Sequence, residues 1–234
     1  MERTGLLLGP EKLNKLQQAN VLVVGLGGVG AYAAEQLCRA GIGKLTLVDG
    51  DVVDSSNRNR QLPALVSTVG KTKTEVLAKR FLDINPEVKL TLVNDYIKEE
   101  KITELVKSQP FDYIIDAIDT LSPKVSLINN VMRQKIKLVS SMGAGGKFDP
   151  SKIEVADISK SYNCKLARML RKRLSKLGIK KGFKVVFSPE DVPESAVRIE
   201  EGRNKKSTVG TISYMPAVFG CFVSSVVIRD LISE

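Results

Sequence analysis

Histidine is absent from this chain of 234 residues. That excludes a Ser–His or Cys–His nucleophilic pair and any histidine metal ligand. Cysteine is scarce, and Cys38, Cys164 and Cys221 are far apart. An odd, scattered set argues against a disulfide framework and suits a reducing cytoplasm. There is no Cys-x-x-Cys pair, so no four-thiolate structural zinc site is expected. Met1–Gln18 lacks the apolar core of a secretory signal, which also fits a cytoplasmic location. Acidic residues are missing altogether between Lys160 and Lys184. The side chains left for chemistry are Asp, Lys and Arg, with backbone groups and a metal carried by a nucleotide.

What is present is an ordinary core-forming composition, 43% apolar. Apolar runs at Val21–Gly25, Lys44–Asp49, Val88–Val93, Tyr113–Ala117 and Lys137–Ser141 read as strands. They alternate with helical patterns at Val29–Ala40, Lys71–Leu82, Lys101–Val106 and Pro123–Gln134. That alternation predicts an α/β fold, Rossmann-like, with a largely parallel, doubly wound sheet. Beyond the glycine joint Gly143–Gly146 come a strand at Lys152–Ile158, a helix at Lys165–Leu177 and a strand at Lys184–Phe187. The expectation is a single domain over 1–234, with a C-terminal extension from about Lys147. Glu190–Lys206, polar and charged, reads as a mobile loop. Ile212–Ile228 is uncharged and mostly apolar but rather short and serine-bearing for a membrane span. It reads as a buried C-terminal helix, and membrane association is not expected.

The most informative stretch runs from Val21 to Gln61. VLVVGLGGVG ends a strand in a glycine turn that opens a helix, and LTLVDGD ends the next strand in Asp49 and Asp51. Gly25 permits the tight turn, Gly27 or Gly28 lets backbone approach a phosphate, and Gly30 allows close helix–strand packing. Amide groups and the helix dipole favour an anion there. Asp49 follows Gly30 by 19 residues, a spacing suited to a carboxylate on a ribose hydroxyl. Just beyond lie Asn57, Arg58, Asn59, Arg60 and Gln61, then Lys71 and Lys73. Such a cationic cluster suits ATP better than NAD, because charge must be neutralised during attack on phosphorus. A second acid pair, Asp116 and Asp119, ends the strand at Tyr113–Ala117. With Asp49 and Asp51 it would converge at the carboxyl edge of the sheet, where magnesium could join the crowded carboxylates. Alternatively, Asp116 and Asp119 simply cap the following helix.

GLGGVG, VDGD, SNRNRQ, VGKTK and DAIDTLSPK resemble the adenylating enzymes related to ubiquitin-activating enzyme, among them the molybdopterin-synthase and thiamine sulfur-carrier adenylyltransferases. SMGAGGKFDPSKIEVADISK, LARMLRKRL and VVFSPE narrow the resemblance to the tRNA threonylcarbamoyladenosine dehydratases, over nearly the whole chain. The resemblance implies ATP with Mg2+, with Asp119 helping to hold the metal. It implies that Arg60 and Lys73 contact phosphates and Asp49 holds the ribose, with Asn57 and Gln61 lining the pocket. Arg60, Lys73 and Asp119 are thus the candidate catalytic set. A homodimer is implied as well, and Arg3 matches one of two leader arginines that reach a neighbouring ATP site. The implied activity is adenylation of the threonyl carboxylate of threonylcarbamoyladenosine in tRNA, followed by cyclising dehydration. Two rivals are activation of a carrier protein at its C-terminal Gly-Gly, with a sulfur-transfer partner, and a non-enzymatic NAD-binding module.

The acid-free stretch holds ten positive charges, as many as the net charge of the whole chain. Leu166, Met169, Leu170, Leu174 and Leu177 recur there at near-helical spacing, leaving a cationic face. Arg168, Arg171, Lys172, Arg173 and Lys176 are the candidate tRNA contacts. A basic face kept for solubility or for an anionic membrane is the alternative. Cys164 reads as a divergence rather than a nucleophile, and Cys38 and Cys221 as core residues.

Overall fold

A computed structural model describes residues 1–96, 99–199 and 207–233. Its centre is a seven-stranded sheet of β1 (Asn20–Val24), β2 (Lys44–Val48), β3 (Lys89–Val93), β4 (Tyr113–Asp116), β5 (Lys137–Ser141), β6 (Glu154–Asp157) and β7 (Lys184–Phe187). The order is β3-β2-β1-β4-β5-β7-β6. All neighbours pair in parallel except β6, which runs antiparallel to β7 at the edge. Strands β6 and β7, both beyond residue 147, therefore complete the same sheet that begins at β1.

Side-chain alternation along β1 divides two apolar layers. Val21 and Val23 face α3 (Gly30–Ala40), α4 (Lys73–Ile84) and α8 (Tyr214–Ile232). Leu22 and Val24 face α5 (Glu99–Lys107), α6 (Leu121–Arg133) and α7 (Lys165–Ser175). Parallel strands need both faces covered, which accounts for the unbroken apolar run in β1. Each fully buried aliphatic side chain contributes about 1.5–3 kcal/mol. Helix α3 stops at Gly41, which takes the left-handed conformation that caps a helix at φ 98°.

Several expectations need correction. Two short helices, α1 (Glu2–Leu8) and α2 (Pro10–Gln18), occupy the N-terminal segment, to which the sequence reading assigned no element. Helix α1 buries nothing, and α2, only nine residues long, buries Leu16 alone. Part of the charged segment expected as a mobile loop, residues 194–199, has defined structure. It forms a 3-10 turn at Glu194–Ala196 and strand β8 (Val197–Ile199), paired with β9 (Ser207–Val209). Residues 200–206 of that segment lie outside the described residues. Helix α8 is long and apolar enough by composition to cross a membrane, yet 44% of its apolar stretch is buried, chiefly against α3. Cys221 is exposed on its outer side rather than in the core.

Candidate active site

The strand order reverses between β1 and β4, because β1 leads by way of α3 to β2 on its other side. Ligands of open parallel sheets bind in the crevice that this switch opens at the carboxyl ends. Gly25 leaves β1 at φ 88°, and a side chain there would meet the Ala117 carbonyl at 2.8 Å. At Gly30 a Cβ would lie 1.8 Å from the Gly25 carbonyl, so only glycine lets α3 start this close to the strand. Gly28 has a different task from phosphate approach: its missing Cβ makes room for Pro216 at 2.8 Å. Gly27 is the open position, with only the Gln61 amide nitrogen nearby at 3.8 Å. No side chain caps the start of α3.

Asp49 and Asp51 leave β2 beside this turn. Asp49 accepts from the Leu26 amide at 2.6 Å and the Asp51 amide at 2.8 Å, so it braces the glycine turn. Burial raises its pKa, opposed by Lys73 and these two amides. Lys73, the first residue of α4, is 4% exposed. Its ammonium lies 2.7 Å from Asp51 and 3.8 Å from Asp49. A cation at a helix N-terminus opposes the helix dipole, and the two carboxylates offset that cost. Tyr96 donates its hydroxyl to Asp51 at 2.6 Å.

The expected gathering of four carboxylates around magnesium does not form. Asp116 is fully buried and pairs with Lys124 of α6 at 2.9 Å. It also accepts from the Ser140 hydroxyl at 2.6 Å and the Ile118 amide at 3.1 Å. The cations that relieve the crowding are thus Lys73 and Lys124. Lys124 was not singled out from the sequence, although its place eight residues after a strand-end acid was a signal. It also donates to the Ile118 carbonyl at 2.9 Å, fixing the turn that presents Asp119. Asp119 is exposed at the mouth of the crevice. Among the described residues no group of three or more His, Cys, Asp or Glu is arranged to hold a metal.

The Asn57–Gln61 loop closes the crevice from the other side. Asn57 turns back to cap a 3-10 turn with Asp54, at 3.3 Å from its amide. Arg60 donates to the Ser56 carbonyl at 3.0 Å and to Asn59 at 2.8 Å. Gln61 points its amide group toward Gly27, and its buried Oε1 accepts no hydrogen bond among the described residues. A strap from β9 to the start of α8 crosses here. Asn59 donates to the Thr211 carbonyl at 2.9 Å, Gly146 to the Gly210 carbonyl at 2.8 Å, and Tyr214 to the Phe148 carbonyl at 2.8 Å.

The cationic segment is less uniform than its sequence. Arg168, Lys172, Arg173 and Lys176 are exposed on α7. Arg171 is half-buried instead and donates to the Ser161 carbonyl and hydroxyl, tying α7 to its own leader. Arg173 is within 3.4 Å of the Ser122 hydroxyl, and Lys184 is paired with Asp230 at 2.6 Å. Cys164 is buried beneath the start of α7, and burial pushes the Cys38 thiol up to about 11. Arg3 is exposed on α1.

A Rossmann-like sheet with a glycine turn and a charged crevice at its switch point defines a nucleotide-handling enzyme. The chain belongs to the ThiF family, which it matches over residues 2–234, and within it to the tRNA threonylcarbamoyladenosine dehydratases. It is 40% identical over 240 residues to the dehydratase of Bacillus subtilis, covering 99% of this chain and 94% of that protein. To the Escherichia coli dehydratase it is 44% identical over 194 residues, 80% of this chain and 72% of that protein. The E. coli enzyme solved in complex with ATP superposes with a TM-score of 0.90 at 38% identity, covering 99% of this chain and 93% of that one.

Proposed function

We propose that the chain adenylates the threonyl carboxylate of threonylcarbamoyladenosine in tRNA and then closes the ring with net loss of water. The observation that carries this reading is end-to-end similarity to a dehydratase solved with ATP, in a chain whose glycine turn and Lys73 share one crevice. A carboxylate oxygen attacks the α-phosphorus, and pyrophosphate departs. The carbamoyl group then attacks the activated acyl carbon, loses a proton, and AMP departs with the former carboxylate oxygen. The ring is formed within one molecule, so no enzyme thiol is required. The buried positions of Cys38 and Cys164 suit that.

In this reading Arg60 and Lys73 neutralise the phosphates, with Lys73 exchanging part of its pairing with Asp51 for phosphate oxygens. Gly27 lets the backbone approach, and Gln61 satisfies its buried acceptor on a nucleotide hydroxyl or amine. Asp49 has one oxygen on the Leu26 amide and the other on the Asp51 amide, and takes the ribose hydroxyl on a remaining lone pair. Asn57 shapes the loop. Mg2+ prefers one or two carboxylates together with phosphates, a demand that an exposed Asp119 at the strand end fits. When bound it offsets phosphate charge. A cytoplasmic homodimer, with residues 1–234 as one adenylation domain, completes the proposal.

The test is AMP release with ATP, magnesium, and tRNA carrying or lacking threonylcarbamoyladenosine. Release is expected only with the modified tRNA. Release that instead requires a Gly-Gly-tailed carrier protein would overturn the substrate. Thermal stabilisation by NAD and not by ATP would overturn the nucleotide.

A further inference from the structure

Among the described residues four aromatic side chains are exposed by more than a third: Tyr96 64%, Phe148 69%, Tyr162 52% and Tyr214 37%. All four stand at the carboxyl edge of the sheet. Tyr96 follows β3 and Phe148 follows β5. Tyr162 packs edge-on against Phe187 at the end of β7, with ring centroids 5.6 Å apart. Tyr214 opens α8 above Gly28. Tyr96 is engaged with Asp51 in the nucleotide half. The others lie toward β5 and β7, where the mechanism above has so far used no side chain.

Phe148 is the most exposed of the four and is not on a loose loop. Its amide donates to the Glu190 carboxylate at 3.1 Å, and its carbonyl accepts from the Tyr214 hydroxyl. Its ring meets that of Tyr214 edge to face, with centroids 6.1 Å apart at 67°. The next residue, Asp149, donates to the same Glu190 carboxylate at 3.0 Å. The backbone thus fixes an exposed pair of rings, Phe148 against Tyr214, at this edge. Hydrogen bonds connect this place to the cationic helix. Asn163 donates to the carbonyl of Pro189, next to Glu190, at 2.6 Å, and α7 begins two residues further on with Lys165 and Arg168 exposed beyond.

We propose that Phe148, backed by Tyr214, is a stacking surface for an unpaired nucleotide that neighbours the modified adenosine in the RNA substrate. This inference rests on the RNA reading above. Unpaired RNA bases are held by aromatic faces, with cations nearby for the phosphates, and this site offers both. The nucleotide half of the crevice takes ATP and the β5–β7 half takes the RNA loop. Tyr162, on the leader to α7, extends the aromatic edge toward the cationic face.

Phe148→Leu keeps an apolar side chain but removes the π-face, and Phe148→Trp restores one. The assay is AMP release on a hairpin RNA carrying threonylcarbamoyladenosine in its loop, and on two versions with an abasic residue on either side of it. Phe148→Leu should raise KM for the intact hairpin between about five- and about one hundred-fold, the range of a lost base–aromatic stack. KM for ATP and kcat should hold, Phe148→Trp should recover the RNA KM, and the penalty should vanish on one abasic hairpin. An unchanged RNA KM, or the same penalty on all three hairpins, would overturn the stacking surface while leaving the activity standing. So would loss of a dimer by Phe148→Leu in sedimentation, which would make a second copy the occupant. Wild-type protein that releases no AMP on the intact hairpin would bring down the functional reading itself, and the stacking surface with it.

Discussion

Two lysines stand at the starts of helices beside strand-end acids, and they differ in how far water reaches the partner carboxylate. Lys124 and Asp116 are both fully buried, and the pair closes over Ser140 and the Ile118 turn. Lys73 is also buried, but its closer partner Asp51 has a side chain 48% exposed. A sealed pair has no better partner to find. A pair with one hydrated member can be traded for a polyanion that enters the crevice. Burial alone therefore does not separate the two lysines; the exposure of the carboxylate does, and in the proposed mechanism Lys73 is the one that can change partner.

The comparison can be broken most forcefully at Lys124. Lys124→Met strands a buried carboxylate and should cost about 3–5 kcal/mol, a drop in Tm on the order of 10 °C. Adding Asp116→Asn should recover part of that. A Tm within a degree or two of wild type would mean that Lys124 is no more architectural than Lys73. Lys73→Met should reverse the pattern, with AMP formation down by about 100- to 1000-fold. Its thermal cost should be clearly smaller than at Lys124, because Asp51 can hydrate and Asp49 keeps its two amide donors. Near-normal turnover in a folded variant would move the chemistry away from this lysine.

A gentler contrast sets the exposed cations of α7 against the engaged Arg171. Replacing Arg168, Lys172 and Lys176 by Ala should weaken tRNA binding and reduce its logarithmic salt slope by roughly 2–3, with ATP affinity unaltered. Arg171→Ala should lower Tm and leave the salt slope alone. Equal salt slopes for wild type and the triple variant would place the RNA elsewhere.

The smallest effect concerns Glu35 on α3. Burial pushes its pKa up, but hydrogen bonds from Arg80 and Arg39 outweigh this and hold it below the ordinary 4.5. A lowered carboxylate stabilises the folded state above its unfolded pKa, and that contribution disappears as pH falls through the folded value. Both arginines are about half exposed, so solvent screens the pairs and the effect is modest. Urea melts of Glu35→Gln against wild type should differ at pH 6 and converge in acid, once pH has fallen through the folded-state value. A gap that persists in acid would assign the difference to packing.

The sheet and its central helices were readable because β-branched runs and glycine turns report local geometry. Gly25, Gly30, Asp49 and Lys73 meet in space because the topology of a βαβ unit brings them there. What escaped the sequence was pairing across distance. Spacing alone hints at Lys124 as the partner of Asp116, and nothing local marks Pro216 as the reason for Gly28. Arg171 lies next to cations that do face water, and only the path of Ser161 draws it inward. The helices at the N-terminus are seven and nine residues long and bury a single side chain, too short a pattern to stand out.

The strap from Ser207 to Pro216 is fastened to the Asn59 loop, to Gly28 and to Phe148. One segment thus borders both the nucleotide wall and the proposed RNA wall. To the extent that ATP shifts its balance of positions, the two ligands become linked. Reciprocity then fixes the result: the factor by which ATP tightens RNA equals the factor by which RNA tightens ATP. Order of addition changes the route to the ternary complex and leaves its final occupancy the same.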